Sequence, residues 1–137
     1  MIGWLKRVLR LAPPSGRALG AAGERVAARF LRRAGYRLVA RNVAVRGGEV
    51  DLICVAPDRW TIVFVEVKTR LSHESTGRPT HAPEVNLDAR KRAAMVRAAR
   101  ALARARRWTD RPLRIDVVAV EWSRAGEHVV RHHVGAF

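Results

Sequence analysis

Acidic residues and lysine are scarce in this chain. Its 137 residues include only 12 Asp and Glu, and its 27 basic residues divide into 24 Arg and 3 Lys. The net charge is therefore +15 at pH 7. A chain so poor in acid attracts polyanions at physiological salt, and nucleic acid is the default partner. Arginine suits bidentate phosphate contacts, although a GC-rich genome produces the same bias. Cysteine is rarer still: Cys54 stands alone inside an apolar run. One thiol forms no internal disulfide, and one Cys with five scattered His makes no zinc set. A buried, inert thiol is expected. No apolar run approaches the roughly 18 residues of a membrane helix. The N-terminus also lacks the continuous apolar core of a signal peptide. These absences predict a cytoplasmic protein with no stable membrane insertion. Aromatics make up 6% of the chain. Trp4, Trp60, Trp108 and Trp122 are scattered, which suits packing better than base stacking.

What is present describes one globular domain with a sizeable core. Residues 1–17 read as a basic, amphipathic N-terminal extension ending at Pro13-Pro14-Ser15-Gly16, and residues 18–137 as the domain. The extension either packs on the domain or docks on a membrane surface or partner. Helical spacing of Val26, Ala27, Phe30, Leu31 and Ala34 predicts a helix over 20–34, closed by Gly35. Tyr36–Ala40 reads as a short strand, and Asn42–Gly48 as a connection open to being extended in part. Glu49–Ala56 and Trp60–Thr69 read as an antiparallel hairpin. If Ala56 faces Thr61, Asp51 faces Glu66 and Glu49 faces Lys68. Residues 71–87 form a polar loop without periodicity. Asp88 is a plausible N-cap for a helix reaching about Arg107. Its expected inner stripe is Ala94, Met95, Ala98, Ala101, Leu102 and Ala105. Its arginines meet no acid after Asp88, which suggests a phosphate-tracking surface. Arg114–Glu121 and Glu127–Val134 complete the strands. The order is helix, three strands, helix, two strands: an α/β fold with a mixed central sheet flanked by helices, its core running α-β-β-β-α-β.

The two hairpin strands carry the chemistry. Gly48-Glu49-Val50-Asp51-Leu52-Ile53 and Phe64-Val65-Glu66-Val67-Lys68 each place acid where a buried strand should carry valine. Alternation puts Glu66 and Lys68 on one face. Like charges on neighbouring strands repel, and a divalent cation resolves the conflict. Asp51 and Glu66 are the candidate Mg²⁺ or Mn²⁺ ligands, and the Val67 carbonyl is a further oxygen donor. Bound metal would orient and acidify an attacking water. Lys68 would position that water or stabilise the transition state; a plain salt bridge to Glu66 or Glu49 is the competing reading. Glu49 is expected beside the site, paired with Lys68 or an arginine. Arg70, Arg90, Lys91 and Arg97 are the candidate backbone contacts. Asp116 is expected to be structural, and His132-His133 exposed. Taken alone, Glu24 reads as a helix-dipole carboxylate.

Several motifs together carry a resemblance. They are G-x-x-G-E-x-x-A-A-x-x-L (Gly20 to Leu31), G-Y-x-x-x-x-R-N (Gly35 to Asn42), G-E-V-D-L-I, V-F-V-E-V-K-T-R and R-I-D-V-V-A-V (Arg114 to Val120). The Asp88–Arg92 helix start and the terminal Ala136-Phe137 belong to the same set. From about residue 18 onward the chain resembles the YraN family, small bacterial proteins grouped with the restriction-endonuclease-like PD-(D/E)XK nucleases. The resemblance implies that core, with Asp51 as the first acid and Glu66 and Lys68 as the E-x-K. It also implies that Glu24 matches the helix-borne acid of archaeal Holliday-junction resolvases, making it a fourth site residue and metal ligand. Thr76-Gly77 replaces an expected Phe-Gly pair. The implied activity is metal-dependent hydrolysis of DNA, branched or damaged forms included, with DNA favoured over RNA. Enzymes of this fold often act as dimers, so a homodimer is compatible with it. The alternative is a basic nucleic-acid-binding module with the fold and little turnover.

Overall fold

A computed structural model describes residues 15–72 and 89–136. The amphipathic extension, most of the polar loop and the Asp88 cap lie outside the described residues. The first helix, α1, spans Gly16–Arg33 and so starts earlier than residue 20. Ser15 stands extended ahead of it. At the far end Gly35 takes φ +94°, a region open to glycine, and Tyr36 N–H bonds back to Leu31 O at 2.9 Å. The chain reverses there into the sheet.

Five strands follow: β1 (Arg37–Val45), β2 (Gly48–Val55), β3 (Ile62–Leu71), β4 (Leu113–Trp122) and β5 (His128–His133). They lie in the sheet in chain order, β1-β2-β3-β4-β5. β1–β2, β2–β3 and β4–β5 are antiparallel, and β3–β4 is parallel. The parallel pair requires a crossover, which carries the second helix, α2 (Ala89–Ala105). β1 is longer than its expected five residues. It pairs with β2 as far as Val45 and Gly48, so the stretch read as a connection is mostly ladder. The β2–β3 turn is held by Asp58, whose Oδ1 accepts the N–H groups of Trp60 and Thr61 at 2.8 and 2.9 Å.

Strand alternation sorts the apolar side chains onto two faces. Leu52, Cys54, Val63, Val65, Val118 and Val120 pack against Ala27, Ala28 and Leu31 of α1. Ile53, Val55, Ile62, Phe64 and Ile115 pack against Ala98 and Ala99 of α2. The helices thus cover opposite faces of one mixed sheet, the α/β arrangement expected from the order of elements. Val50 breaks the alternation and joins the α2 side. The inner stripe of α2 is rotated from its expected position. Ala98, Ala99 and Ala103 are buried, whereas Ala101 and Ala105 are exposed. A helix built from Ala and Arg leaves its rotation weakly marked, and packing against Phe64 and Trp108 decides it.

Candidate functional site

The hairpin register places the first two acids. Backbone pairing runs from Val55–Ile62 to Leu52–Val65, and one further step in the same register would set Asp51 opposite Glu66. At that step the ladder gives way to a side chain: Asp51 Oδ2 accepts the N–H of Val67 at 2.8 Å. The Val67 N–H is thereby held at the edge of the site.

The third acid comes from α1. Gly23 is buried against Thr69 of β3, and a Cβ on Gly23 would fall 1.9 Å from Thr69 Oγ1. Only glycine lets helix and strand approach so closely, and the next residue is Glu24. One carboxylate oxygen each from Glu24, Glu49 and Asp51 lies within 4.8 Å of the others. Glu49 therefore joins the acids instead of pairing with Lys68 or an arginine. Asn42 ties it there. With its amide nitrogen facing the carboxylates, Asn42 donates to Glu24 Oε2 and to Glu49 Oε1, each at 3.0 Å. Its φ of +49° is a conformation asparagine tolerates better than most residues.

Glu66 lies beside this cluster and is only 8% exposed. Its Oε1 accepts from Lys91 Nζ at 2.6 Å and pairs with Lys68 Nζ at 3.7 Å. Lys91 thus reaches from α2 into the site itself. Burial pushes the Asp51 carboxyl up to about 7, helped by the charges of Glu66 and Glu24 and opposed by the Val67 hydrogen bond. Partial burial and the adjacent Lys91 hold the Lys68 ammonium below its ordinary range. Burial pulls Lys91 the same way, but its contact with Glu66 outweighs that and raises it.

Glu49, Asp51, Glu66 and Lys91 face a cleft of about 570 Å³ between the β1–β2 turn and α2; its walls do not include Glu24 or Lys68. Arg46, Glu49, Asp51, Glu66, Lys91 and Arg97 are on its walls, with Arg90 at the start of α2. Arg70 is exposed and does not line it. Three carboxylates this close repel one another unless they are protonated or share a cation. An all-oxygen donor set suits a hard divalent ion, which these residues could hold.

Elsewhere Asp116 behaves as the expected structural acid. It is fully buried, takes two bonds from Arg114 at 2.8 Å, and accepts the Gly135 N–H at 2.9 Å. Burial works against its ionised form, but His132, Arg114 and Gly135 together hold it down to about 2. His132 is not exposed as expected: its Nε2 sits 2.7 Å from Asp116 and its ring packs on Phe30 and Tyr36. Cys54 is buried, which pushes its thiol up to about 11.

Three contacts at this cluster were not read from the sequence. Asn42 as an acid-bridging amide had only the Arg41-Asn42 motif as a signal. Glu49 beside Glu24 required the position of α1. Lys91 as the partner of Glu66 required the rotation of α2.

The fold and site together define an α/β protein with three clustered acids beside a cleft lined by arginine and lysine. The chain belongs to the Uncharacterised protein family UPF0102, whose signature matches residues 23–120. A UPF0102 protein of Pelobacter propionicus is 35% identical over 92% of this chain and 86% of its own. One from Nitratidesulfovibrio vulgaris is 46% identical over 88% and 84%, and one from Symbiobacterium thermophilum 46% identical over 77% and 83%. Among solved structures, a repair endonuclease from Pyrococcus abyssi aligns with a TM-score of 0.45 and 22% identity. The alignment covers 77% of this chain and 38% of that one. No described helix is long and apolar enough to cross a membrane.

Proposed function

We propose that this protein is a Mg²⁺- or Mn²⁺-dependent endonuclease of the PD-(D/E)XK type, hydrolysing phosphodiester bonds of DNA in the cytoplasm. One juxtaposition carries the reading: Glu24, Glu49 and Asp51 within 4.8 Å of one another, next to a Glu66 that bridges two lysines. Repelling acids in a cleft lined by Arg90 and Arg97 make little sense for stability alone. Glu24, Asp51 and Glu49 would hold the metal, with Glu66 and the Val67 carbonyl completing its protein ligands. When bound, that metal acidifies water and neutralises charge on the scissile phosphate. Lys68 sits where an ammonium steadies the transition state and orients the water. The water oxygen forms a new P–O bond, the bridging P–O bond breaks, and the leaving oxygen takes up a proton. Arg90 and Arg97 hold the backbone on either side, and Arg70 extends the contact beyond the cleft.

A binding module without turnover is the second reading. The 2.6 Å contact from Lys91 to Glu66 favours it, because an ammonium there neutralises a carboxylate without any metal. The two separate cleanly. Linear, nicked, branched and single-stranded DNA and RNA are incubated with Mg²⁺ or Mn²⁺. The nuclease reading expects product from the wild type and at least a 100-fold loss in Asp51→Asn and Lys68→Ala. Product formed equally by all three proteins would overturn the assignment. No product, together with no Mn²⁺ binding by calorimetry, selects the module.

A further inference from the structure

Two arginine faces, not one, look outward from this fold. Helix α1 exposes Arg25, Arg29, Arg32 and Arg33 opposite its buried Ala27, Ala28 and Leu31. The first three follow steps of four and three, which form one stripe roughly 10 Å long. Its sole acid, Glu24, is committed to the carboxylate cluster. Among the described residues none of the four arginines forms an ion pair. A helix face kept merely soluble usually mixes signs. The stripe reaches the edge of β5, where burial and then the nearby Arg29 hold the His128 imidazole below its ordinary range and so favour its neutral form.

This face lies on the far side of the sheet from α2 and the cleft. Helix, sheet and helix stack to about 30 Å between the two outer surfaces. DNA keeps its direction over about 150 bp, so one duplex does not wrap both. We propose that the outer face of α1 is a second nucleic-acid backbone surface, so that one molecule holds two duplex segments at once, on opposite sides of its sheet. The site takes phosphate backbone without reading sequence, because only charge and spacing are on offer. A lipid surface fits less well: among the described residues the exposed large apolar side chains are Trp60, Leu113 and Val134, none of them on α1. The proposal rests on the nucleic-acid reading above and not on turnover.

The test is a bridging assay with the full chain in EDTA, which separates it from cleavage. A 30-bp duplex is fixed to beads, and capture of a second, fluorescent 30-bp duplex is measured. The wild type should capture it. Arg25→Gln/Arg29→Gln/Arg32→Gln/Arg33→Gln should still bind the first duplex but capture the second at least 10-fold less. Glutamine is a good helix former, and thermal melting checks the fold. The quadruple Lys variant should retain capture, since an ammonium still neutralises phosphate. Four lost contacts should reduce the salt slope for capture by about 3 to 4. Undiminished capture by the Gln variant overturns the proposal, as does a wild type that binds one duplex and captures none. A Gln variant that loses binding to anionic vesicles while keeping capture overturns it too. Absence of any duplex binding would fail the nucleic-acid reading and the proposal together, whereas absence of hydrolysis with intact bridging would fail the nuclease reading alone.

Discussion

Replacing Asp51 with Asn should make the metal-free protein more stable while removing the proposed nuclease activity. Asparagine keeps an oxygen for the Val67 N–H, so the bond to Asp51 Oδ2 at 2.8 Å has a successor. It removes a charge that burial and its neighbours oppose. The Asp51 carboxyl sits near 7 in the fold against 3.8 ordinarily. Three units at about 1.4 kcal/mol each set a ceiling of about 4 kcal/mol. Partial solvent access at the cleft reduces this to about 2 kcal/mol. The sign follows from proton counts. Between pH 4 and 7 the folded protein holds a proton on Asp51 that the unfolded chain has lost, so stability falls as pH rises through this window. The cost is complete above pH 7 and absent below about pH 4. At pH 8 in EDTA, Asp51→Asn should melt roughly 8 °C above the wild type. At pH 5 the gap should be mostly closed. Mn²⁺ at 100 times its dissociation constant should add about 2.7 kcal/mol to the wild type and far less to the variant. Thermal melts at the two pH values, with and without Mn²⁺, read all three. A variant less stable than the wild type at pH 8, or a gap unchanged at pH 5, would refute the claim that Asp51 is held against its preferred charge.

Three further outcomes are expected. Gly23→Ala brings a Cβ 2.9 Å from Thr69 Cβ as well as onto its Oγ1; overpacking of about 1–3 kcal/mol should outweigh the roughly 1 kcal/mol gained in helix propensity. Urea unfolding should show the loss, and calorimetry a weaker Mn²⁺ affinity as Glu24 shifts. Asp116→Ala leaves Arg114 and His132 without their buried partner and should cost about 3–5 kcal/mol by denaturant titration. In the wild type the lowered Asp116 pKa, about 2 against 3.8, contributes about 2 kcal/mol above pH 4. That contribution is lost as pH falls through 2, so the variant should have a flatter acid limb. Lys91→Ala frees Glu66 of its 2.6 Å partner and should tighten Mn²⁺ binding about 10-fold. Unchanged affinity would mean that Glu66 does not reach the metal.

Part of this was legible because β-structure is local here. Ala56 and Thr61 close the turn, with Ala56 N–H bonded to Thr61 O, and a period of two then carries the register to Asp51 and Glu66 without further information. Gly35 announced the end of α1 for a similarly local reason. What escaped depends on how the elements rest on one another. The lysine of Lys91 and the arginines of α2 look alike in sequence, and only the helix rotation turns one of them onto Glu66. Glu49 joins Glu24 because Gly23 lets α1 come close and Asn42 takes an unusual backbone angle. His132 lies on a strand that reads as polar, and the buried Asp116 across the ladder is what draws it inward.

The strands lie in the sheet in the order they occur in the chain, and this has a consequence for assembly. β1, β2 and β3 are a continuous meander over residues 37–71, so their contacts close over short loops, while β4 must wait for a crossover. The meander carries Glu49, Asp51 and Glu66, and the crossover brings Lys91. During folding these acids would therefore gather with only Lys68 beside them, before Lys91 arrives as the closer partner of Glu66, and hydrogen-exchange pulse labelling should find the meander protected ahead of α2. Cations supplied from solution at that moment would act on folding speed rather than on chemistry, and a divalent ion would serve this chain first as a counterweight to its own half-built sheet.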